Sequence, residues 1–297
     1  MKENKNKIIV VVGPTATGKT KVSIELAKLY NAVIINADST QVYKEPSITT
    51  AKIKEEEKEG IEHYLFNIVS LNDEYTLFDY QKDARGLLDK FINENRNVII
   101  VGGSGLYIKA LLYDYNLDET EISRVDYSKY TNQELKDMAD NIDKNNNIHI
   151  NNRQRLERYI TYYNQTGKTI NKTDEINNPL YNFTLIGLKA AREELYDRIN
   201  KRVDEMFEEG MLNEAKSLYS KHFKKFTSII GFRELANYFE NKVTLDEAKK
   251  MIKQNTRRYA KRQYTWFYNQ MKDINWFDVN YSDFNITLDE IKKFLNN

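Results

Sequence analysis

Cysteine is absent from this 297-residue chain. Disulfides, thiolate catalysis and cysteine-ligated zinc or iron–sulfur centres are excluded with it. Histidine is scarce: only His63, His149 and His222 occur, and no two are close in sequence. A histidine-rich metal site is therefore not expected. Net charge is nearly absent as well, at +1, so the field of the whole molecule does not select an anionic partner. Any nucleic-acid site must come from local segregation of charge. Long apolar runs are missing: Ile8–Val12 is too short for a signal-peptide core or a membrane span. The expectation is a cytoplasmic enzyme, without a targeting segment or membrane contact. What remains is 40% hydrophobic and 30% charged, a balance that supports a globular fold with a real core. The length suits one large domain, or a core carrying an inserted subdomain.

Ile8–Val12 is a continuous apolar run ending in Gly13-Pro14, the pattern of a strand buried on both faces. Helical periodicity follows through Val22, Ile24, Leu26, Ala27 and Leu29. Ala32–Asn36 and Asn97–Val101 read as further strands, ending in Ala37-Asp38-Ser39 and in Gly102-Gly103-Ser104-Gly105. Three strands with polar or glycine-rich carboxyl ends point to one ligand cleft beyond those ends. From Tyr113 to Asn178 the chain is rich in Asn, Lys, Asp and Tyr, and no strand-like run appears. Thr131–Met138 and Arg153–Tyr163 read as helices there, and Asn145–Asn147 and Asn171–Pro179 as loops. The pattern predicts an α/β fold. A P-loop-type parallel-sheet core flanked by helices would span 1–112 and 180–297, with an inserted helical subdomain at 113–179. Phe183–Leu188 reads as a fourth strand. From Ala191 onward the pattern is helical, with Leu195, Ile199, Val203, Met206 and Phe207 at three- and four-residue spacing. Thr244 or Asp246 is placed to cap a last long helix reaching about Met271. No repeat period is visible.

The strongest motif is Gly13-Pro14-Thr15-Ala16-Thr17-Gly18-Lys19-Thr20, between a predicted strand and a predicted helix. Backbone N–H groups of such a loop converge on phosphate oxygens, Lys19 adds a point charge, and the Thr20 hydroxyl suits Mg2+. The motif specifies a phosphate without specifying the compound that carries it. Asp38-Ser39-Thr40-Gln41 places a carboxylate opposite the loop, as a metal ligand, a general base or a turn cap. Ser104, in a second glycine-rich turn, brings a hydroxyl to the same cleft. Arg198 and Arg202 lie four apart on one helix face, among acidic neighbours that would pair with them on an ordinary solvated surface.

The last motif is a helix. From Lys249 to Lys272 there are eight Lys or Arg and no Asp or Glu. Lys253, Arg257, Arg258, Lys261 and Arg262 spread over about half of a helical wheel at ~100° per residue. Tyr259, Tyr264, Trp266, Phe267 and Tyr268 are interleaved. Part of that aromatic set belongs to the core. The acid-free basic run still favours nucleic acid, with phosphate contacts and base stacking.

Taken in order, these residues resemble the tRNA dimethylallyltransferase family, also called isopentenyl-tRNA transferases. The resemblance runs through the phosphate loop, Asp38–Tyr43, Thr50-Ala51-Lys52, His63-Tyr64-Leu65 and Val101–Tyr107. It continues through Gln154–Arg158, Ile230–Leu235 and Thr256–Phe267, and spans nearly the whole chain. It implies transfer of a dimethylallyl group from dimethylallyl diphosphate to N6 of the adenosine 3′ of the anticodon. It implies Asp38 as the base at the adenine amine, with Ser104 standing where the family usually has threonine. Lys19, Arg198 or Arg202, and Gly13 to Thr20 would hold the diphosphate, with Mg2+ at Thr20. The tRNA anticodon stem-loop would meet Asp38, Ser39, Thr40, Gln41 and Ser104 in the cleft. In the insert it would meet Arg124, Gln154, Arg155 and Arg158. Toward the C-terminus it would meet Gly231, Phe232, Arg233, Arg257, Lys261, Arg262, Gln263 and Trp266. Tyr64 replaces a second histidine of the family, and the segment around Glu121–Tyr130 is shorter than usual. A monomer is expected. The competing reading is a P-loop small-molecule or nucleoside kinase using ATP, which accounts for Lys19, Thr20 and Asp38 but leaves the basic helix unexplained. A tRNA-binding NTPase without transfer chemistry is the third reading.

Overall fold

The computed structural model describes residues 6–115, 117, 125–169, 178–223 and 225–296. The chain divides into two compact units, one formed by Met1–Asp114 with Asn178–Asn297 and the other by Tyr115–Asn177.

The larger unit is built on a six-stranded sheet in the order β3-β2-β4-β1-β5-β6, parallel throughout. The strands are β1 (Ile8–Val12), β2 (Ala32–Asn36), β3 (His63–Tyr64), β4 (Asn97–Gly102), β5 (Thr184–Lys189) and β6 (Asn275–Asp278). Side chains of a strand alternate between faces, and β1 shows the consequence. Ile8, Val10 and Val12 enter one apolar cluster, while Ile9 and Val11 enter another on the opposite face. A continuous apolar run is thus a strand covered by helices on both sides.

Helix α1 (Lys19–Tyr30) follows β1, and α2 (Leu77–Asn93) precedes β4. Thr76 starts α2 through a reciprocal capping box with Asp79. Helix α3 (Gly105–Leu112) follows β4 and leads to the chain's exit from this unit. There Tyr113 bridges Pro179, and the Asp114 amide donates to Asn178 O at 3.0 Å. The smaller unit contains α4 (Asn132–Ile142) and α5 (Arg153–Thr166), closed around Leu135, Ala139, Leu156 and Ile160.

After β5 come α6 (Arg192–Glu208), α7 (Met211–Tyr219), α8 (Phe232–Phe239) and α9 (Leu245–Gln270). Thr244 is the cap of α9, again with a capping box, to Glu247. The purely helical expectation beyond Ala191 needs correction: β6 follows α9, pairing Ile186 with Asn275 and Lys189 with Asp278, and α10 (Phe284–Asn296) follows it. The short β3 was not expected either. Both lie at sheet edges with half-exposed residues, so neither carries the buried run that marks a central strand.

Candidate active site at the carboxyl ends of the strands

The carboxyl ends of β1, β2 and β4 deliver Gly13–Thr20, Asp38 and Ser104 to one side of the sheet. Loop and helix walls there enclose a cavity of about 1130 Å³. Lys19 reaches back across its own loop, donating from Nζ to Pro14 O at 2.6 Å. Burial lowers its pKa to about 8; the Asp38 carboxylate pulls the other way and Arg202 adds to the lowering. The three charges therefore sense one another. Thr17 is fully buried and ties its hydroxyl to Pro14 O at 2.8 Å, which stiffens the loop. Thr20 is exposed at the first turn of α1.

Asp38 is held by its own turn. Its Oδ1 accepts from the Thr40 amide at 2.9 Å and from Thr40 Oγ1 at 2.7 Å, and its amide donates to Asn36 Oδ1. Oδ2 accepts no hydrogen bond from protein among the described residues. The neighbouring Ser39 amide donates to Ser104 Oγ at 2.9 Å, which stitches the aspartate turn to the glycine turn of β4.

Arg202 and Arg198 both line the cavity, at different depths. Arg202 is half-buried, and burial lowers its pKa against the pull of Asp38. Arg198 is exposed, its guanidinium 5.3 Å from the Tyr281 ring centroid. Of the pair, Arg202 is the one coupled to Lys19 and Asp38.

Helix α9 closes the cavity from the far side. Gln263, 6% exposed, accepts from the Thr15 amide at 2.9 Å and donates to Gly103 O at 3.0 Å. A Cβ on Gly103 would stand 2.1 Å from Gln263 Nε2, and one on Gly105 would stand 1.9 Å from the Trp266 ring. The missing side chains are what let the helix sit against the β4 turn. Gln263 and Trp266 therefore face inward. Lys261, Arg262 and Arg258 are exposed. Arg257 instead donates to Asn200 of α6 at 2.5 Å and lies over Tyr196, and Lys253 pairs with Asp204. Part of the basic stripe is thus spent on α6.

Phe232 is fully buried and stacks on Phe226, ring centroids 4.6 Å apart, so any RNA contact there would run through the main chain. Arg233 is half exposed and paired with Glu234, behind the Gly231 turn. In the smaller unit Gln154, Arg155 and Arg158 are all exposed on α5. Arg124 lies outside the described residues.

Two groups were missed in the sequence. Glu214 of α7 accepts from the amides of Ser47, Ile48 and Thr49 and from the hydroxyls of Ser47 and Thr49. It holds the loop that forms one cavity wall, but at about 165 residues' separation no local pattern reveals it. Tyr259 lines the cavity one turn before Gln263. Its signal was present, an aromatic four residues before a buried polar residue on one helix, but it reads equally as core.

The profile of the IPP transferase family matches residues 41–270. The chain belongs to the IPP transferase family. Members named tRNA dimethylallyltransferase include one from Anoxybacillus flavithermus, 43% identical over 92% of this chain and 90% of the relative. Another, from Bacillus subtilis, is 42% identical over 94% of this chain and 93% of the relative. A crystal structure of the tRNA isopentenylpyrophosphate transferase from Bacillus halodurans superposes with a TM-score of 0.76 at 38% identity, covering 98% of this chain and 96% of that one. A eukaryotic dimethylallyltransferase, captured acting on tRNA, superposes with a TM-score of 0.80 at 26% identity, covering 97% and 78%. As an IPP transferase, this protein is an enzyme of the transferase class, and its phosphate loop need not imply phosphoryl transfer.

Proposed function

We propose that the cavity transfers a dimethylallyl group from dimethylallyl diphosphate to N6 of the adenosine on the 3′ side of the anticodon in tRNA. The observation that carries this reading is the meeting of Lys19, Asp38 and Arg202 in one cavity whose far wall is the basic helix α9, with Ser104 tied to the Asp38 turn through the Ser39 amide. A phosphate grip, a carboxylate beside it and an RNA-facing surface are what the reaction requires.

The exocyclic amine of adenine is a weak nucleophile, because its lone pair is delocalised into the ring. Asp38, its Oδ1 held by Thr40, would take the N6 proton as the new C–N bond forms. The C1–O bond of the donor breaks, and the electron pair leaves on the bridging oxygen of diphosphate. Lys19, Arg202 and the loop amides line the cavity and would stabilise that charge, with the Ser104 hydroxyl, beside Ser39, as a further donor in this reading. Arg202 is the principal arginine in this reading and Arg198 an outer one.

The exposed Thr20 hydroxyl is a hard oxygen donor at a phosphate-binding helix start, which fits Mg2+. No group of three or more His, Cys, Asp or Glu side chains stands ready for a metal among the described residues. The cation would thus be held mostly by diphosphate oxygens, with Thr20 as protein ligand, and would supply charge neutralisation at the leaving group.

The adenine must leave its stack to enter the cavity, which is cheap in a loop. Lys261, Arg262 and Arg258 on α9, with Arg155 and Arg158 on α5, would hold the stem-loop by its backbone and shape. The protein would act as a monomer in the cytoplasm; no described helix is long and apolar enough to cross a membrane. The test is incubation with labelled dimethylallyl diphosphate, Mg2+ and an anticodon stem-loop carrying A next to the anticodon. Label in RNA supports the proposal; ATP turnover without label in RNA overturns it.

A further inference from the structure

The chain beyond β6 returns to the phosphate loop. Val279, Leu288 and Ile291 share an apolar cluster with Ile9 and Val11 of β1 and with Val22 and Ile24 of α1. The turn between Val279 and α10 is fixed by its own hydrogen bonds. Asn280 Oδ1 accepts from the Ser282 amide at 3.0 Å and from the Asp283 amide at 2.9 Å. The Asn280 amide donates to Thr287 Oγ1 at 2.9 Å, and the buried Thr287 hydroxyl donates to Asp278 O at 3.1 Å.

Two side chains of this turn meet the loop. The Tyr281 hydroxyl donates to Ala16 O at 3.1 Å. Phe284 lies against Gly18, where a Cβ would stand 2.6 Å from its ring. Both loop positions have left-handed backbone, with φ +66° at Ala16 and +82° at Gly18. Glycine adopts that conformation freely, whereas an alanine keeps it only where its surroundings hold it. Burial pushes the Tyr281 phenol up to about 12 against the pull of Arg198, so the hydroxyl carries its proton at neutral pH.

A peptide unit is planar, and its C=O and N–H point in opposite directions. Holding Ala16 O therefore sets the direction of the Thr17 N–H. The Pro14–Thr15 peptide is already held at both ends: Pro14 O accepts from Thr17 Oγ1 and Lys19 Nζ, and the Thr15 amide donates to Gln263. Tyr281 does for the Ala16–Thr17 peptide what those groups do for its neighbour. Ala16, Gly18 and Lys19 line the cavity on either side of that peptide.

We propose that Tyr281 is a positioning residue for the diphosphate: its hydroxyl holds the Ala16–Thr17 peptide so that the Thr17 N–H donates to a phosphate oxygen. The donation to Ala16 O also polarises the peptide, which strengthens its N–H as a donor. The ring has a separate contact, with the Arg198 guanidinium 5.3 Å from its centroid. Tyr281→Phe keeps that ring and removes only the hydroxyl.

The inference rests on the reading that the loop holds a diphosphate. Its test is calorimetric titration of wild type and Tyr281→Phe with inorganic diphosphate and Mg2+, beside stem-loop binding and donor kinetics on the same preparations. Tyr281→Phe should weaken diphosphate binding about fivefold, the scale of one hydrogen bond. The KM for dimethylallyl diphosphate should rise by a similar factor, with kcat falling less than about twofold and stem-loop affinity unchanged. Diphosphate affinity equal to wild type would overturn the inference and leave the functional reading standing. So would an equal loss of stem-loop affinity, because the hydroxyl would then support the fold at large rather than the loop. Wild-type protein that binds diphosphate but transfers no dimethylallyl group would contradict the functional reading alone.

Discussion

Gln263 of the long basic helix accepts a hydrogen bond from the Thr15 amide of the phosphate loop, 248 positions earlier in the chain, at 2.9 Å. The same side chain donates to Gly103 O at 3.0 Å. One buried amide thus holds together the two turns that flank the site and fixes both to the basic helix α9. A displacement of α9 is felt directly at the phosphate loop.

Gln263→Leu removes both bonds and leaves a partly buried N–H and a buried C=O unpaired. The expected cost is about 2 kcal/mol of stability, measured by urea unfolding. The KM for dimethylallyl diphosphate should rise more than the affinity for the stem-loop falls, because the lost contacts are to the phosphate loop. Equal losses in both would place Gln263 at the RNA instead.

The sheet and its ligand edge were legible in the sequence because a strand buried on both faces has to be a continuous apolar run. β1, β2 and β4 are such runs, and their polar ends mark the cleft. β3 and β6 were not legible, because His63-Tyr64 and Asn275–Asp278 lie half-exposed at the edges. Lys19, Asp38 and Ser104 could be found from local motifs. Glu214 could not, since its five partners lie on a loop far away in sequence. The basic helix was visible as a run of charge. Which of its cations face α6 was not, because Lys253 and Arg257 find Asp204 and Asn200 only in the folded protein.

Asp38→Ala should lower the transfer rate by about 10²–10⁴, the range for a positioned general base, while the stem-loop still binds. Filter binding and single-turnover rates on the same preparation check this. Binding lost in proportion to rate would make Asp38 a contact rather than the base.

Lys19 titrates near pH 8 in the ligand-free protein because of its burial. Its charge, which the diphosphate needs, is present below that pH and lost above it. The donor kcat/KM should therefore decline above about pH 8. Lys19→Met should lower the whole profile and abolish that limb. The stability sign is opposite: the folded pKa lies below the ordinary lysine value of 10.5, so between about 8 and 10.5 the unfolded chain binds more protons, and this group's contribution to stability rises with pH. A limb that persists in Lys19→Met would assign the titration elsewhere.

Glu214 holds the Ser47–Thr49 loop. Burial alone would raise its pKa, but the amide and hydroxyl of Thr49, with the Ser47 and Ile48 amides, outweigh that and lower it. Its stabilisation is present above the ordinary carboxylate pKa and is lost as pH falls through the lowered value. Glu214→Ala should destabilise the protein by about 1–3 kcal/mol near neutrality. The difference from wild type should shrink in acid, as read from urea midpoints across pH. A difference that stays constant into acid would show that the carboxylate charge is not what holds the loop.

The most direct measurement of the central claim is a product balance on two stem-loops, one with A and one with G at the position 3′ of the anticodon. The account predicts one inorganic diphosphate released for each N6-dimethylallyl adenosine found in the A-containing RNA, and neither product with G. Release of inorganic phosphate from ATP, or diphosphate formed without a modified adenosine, would contradict it.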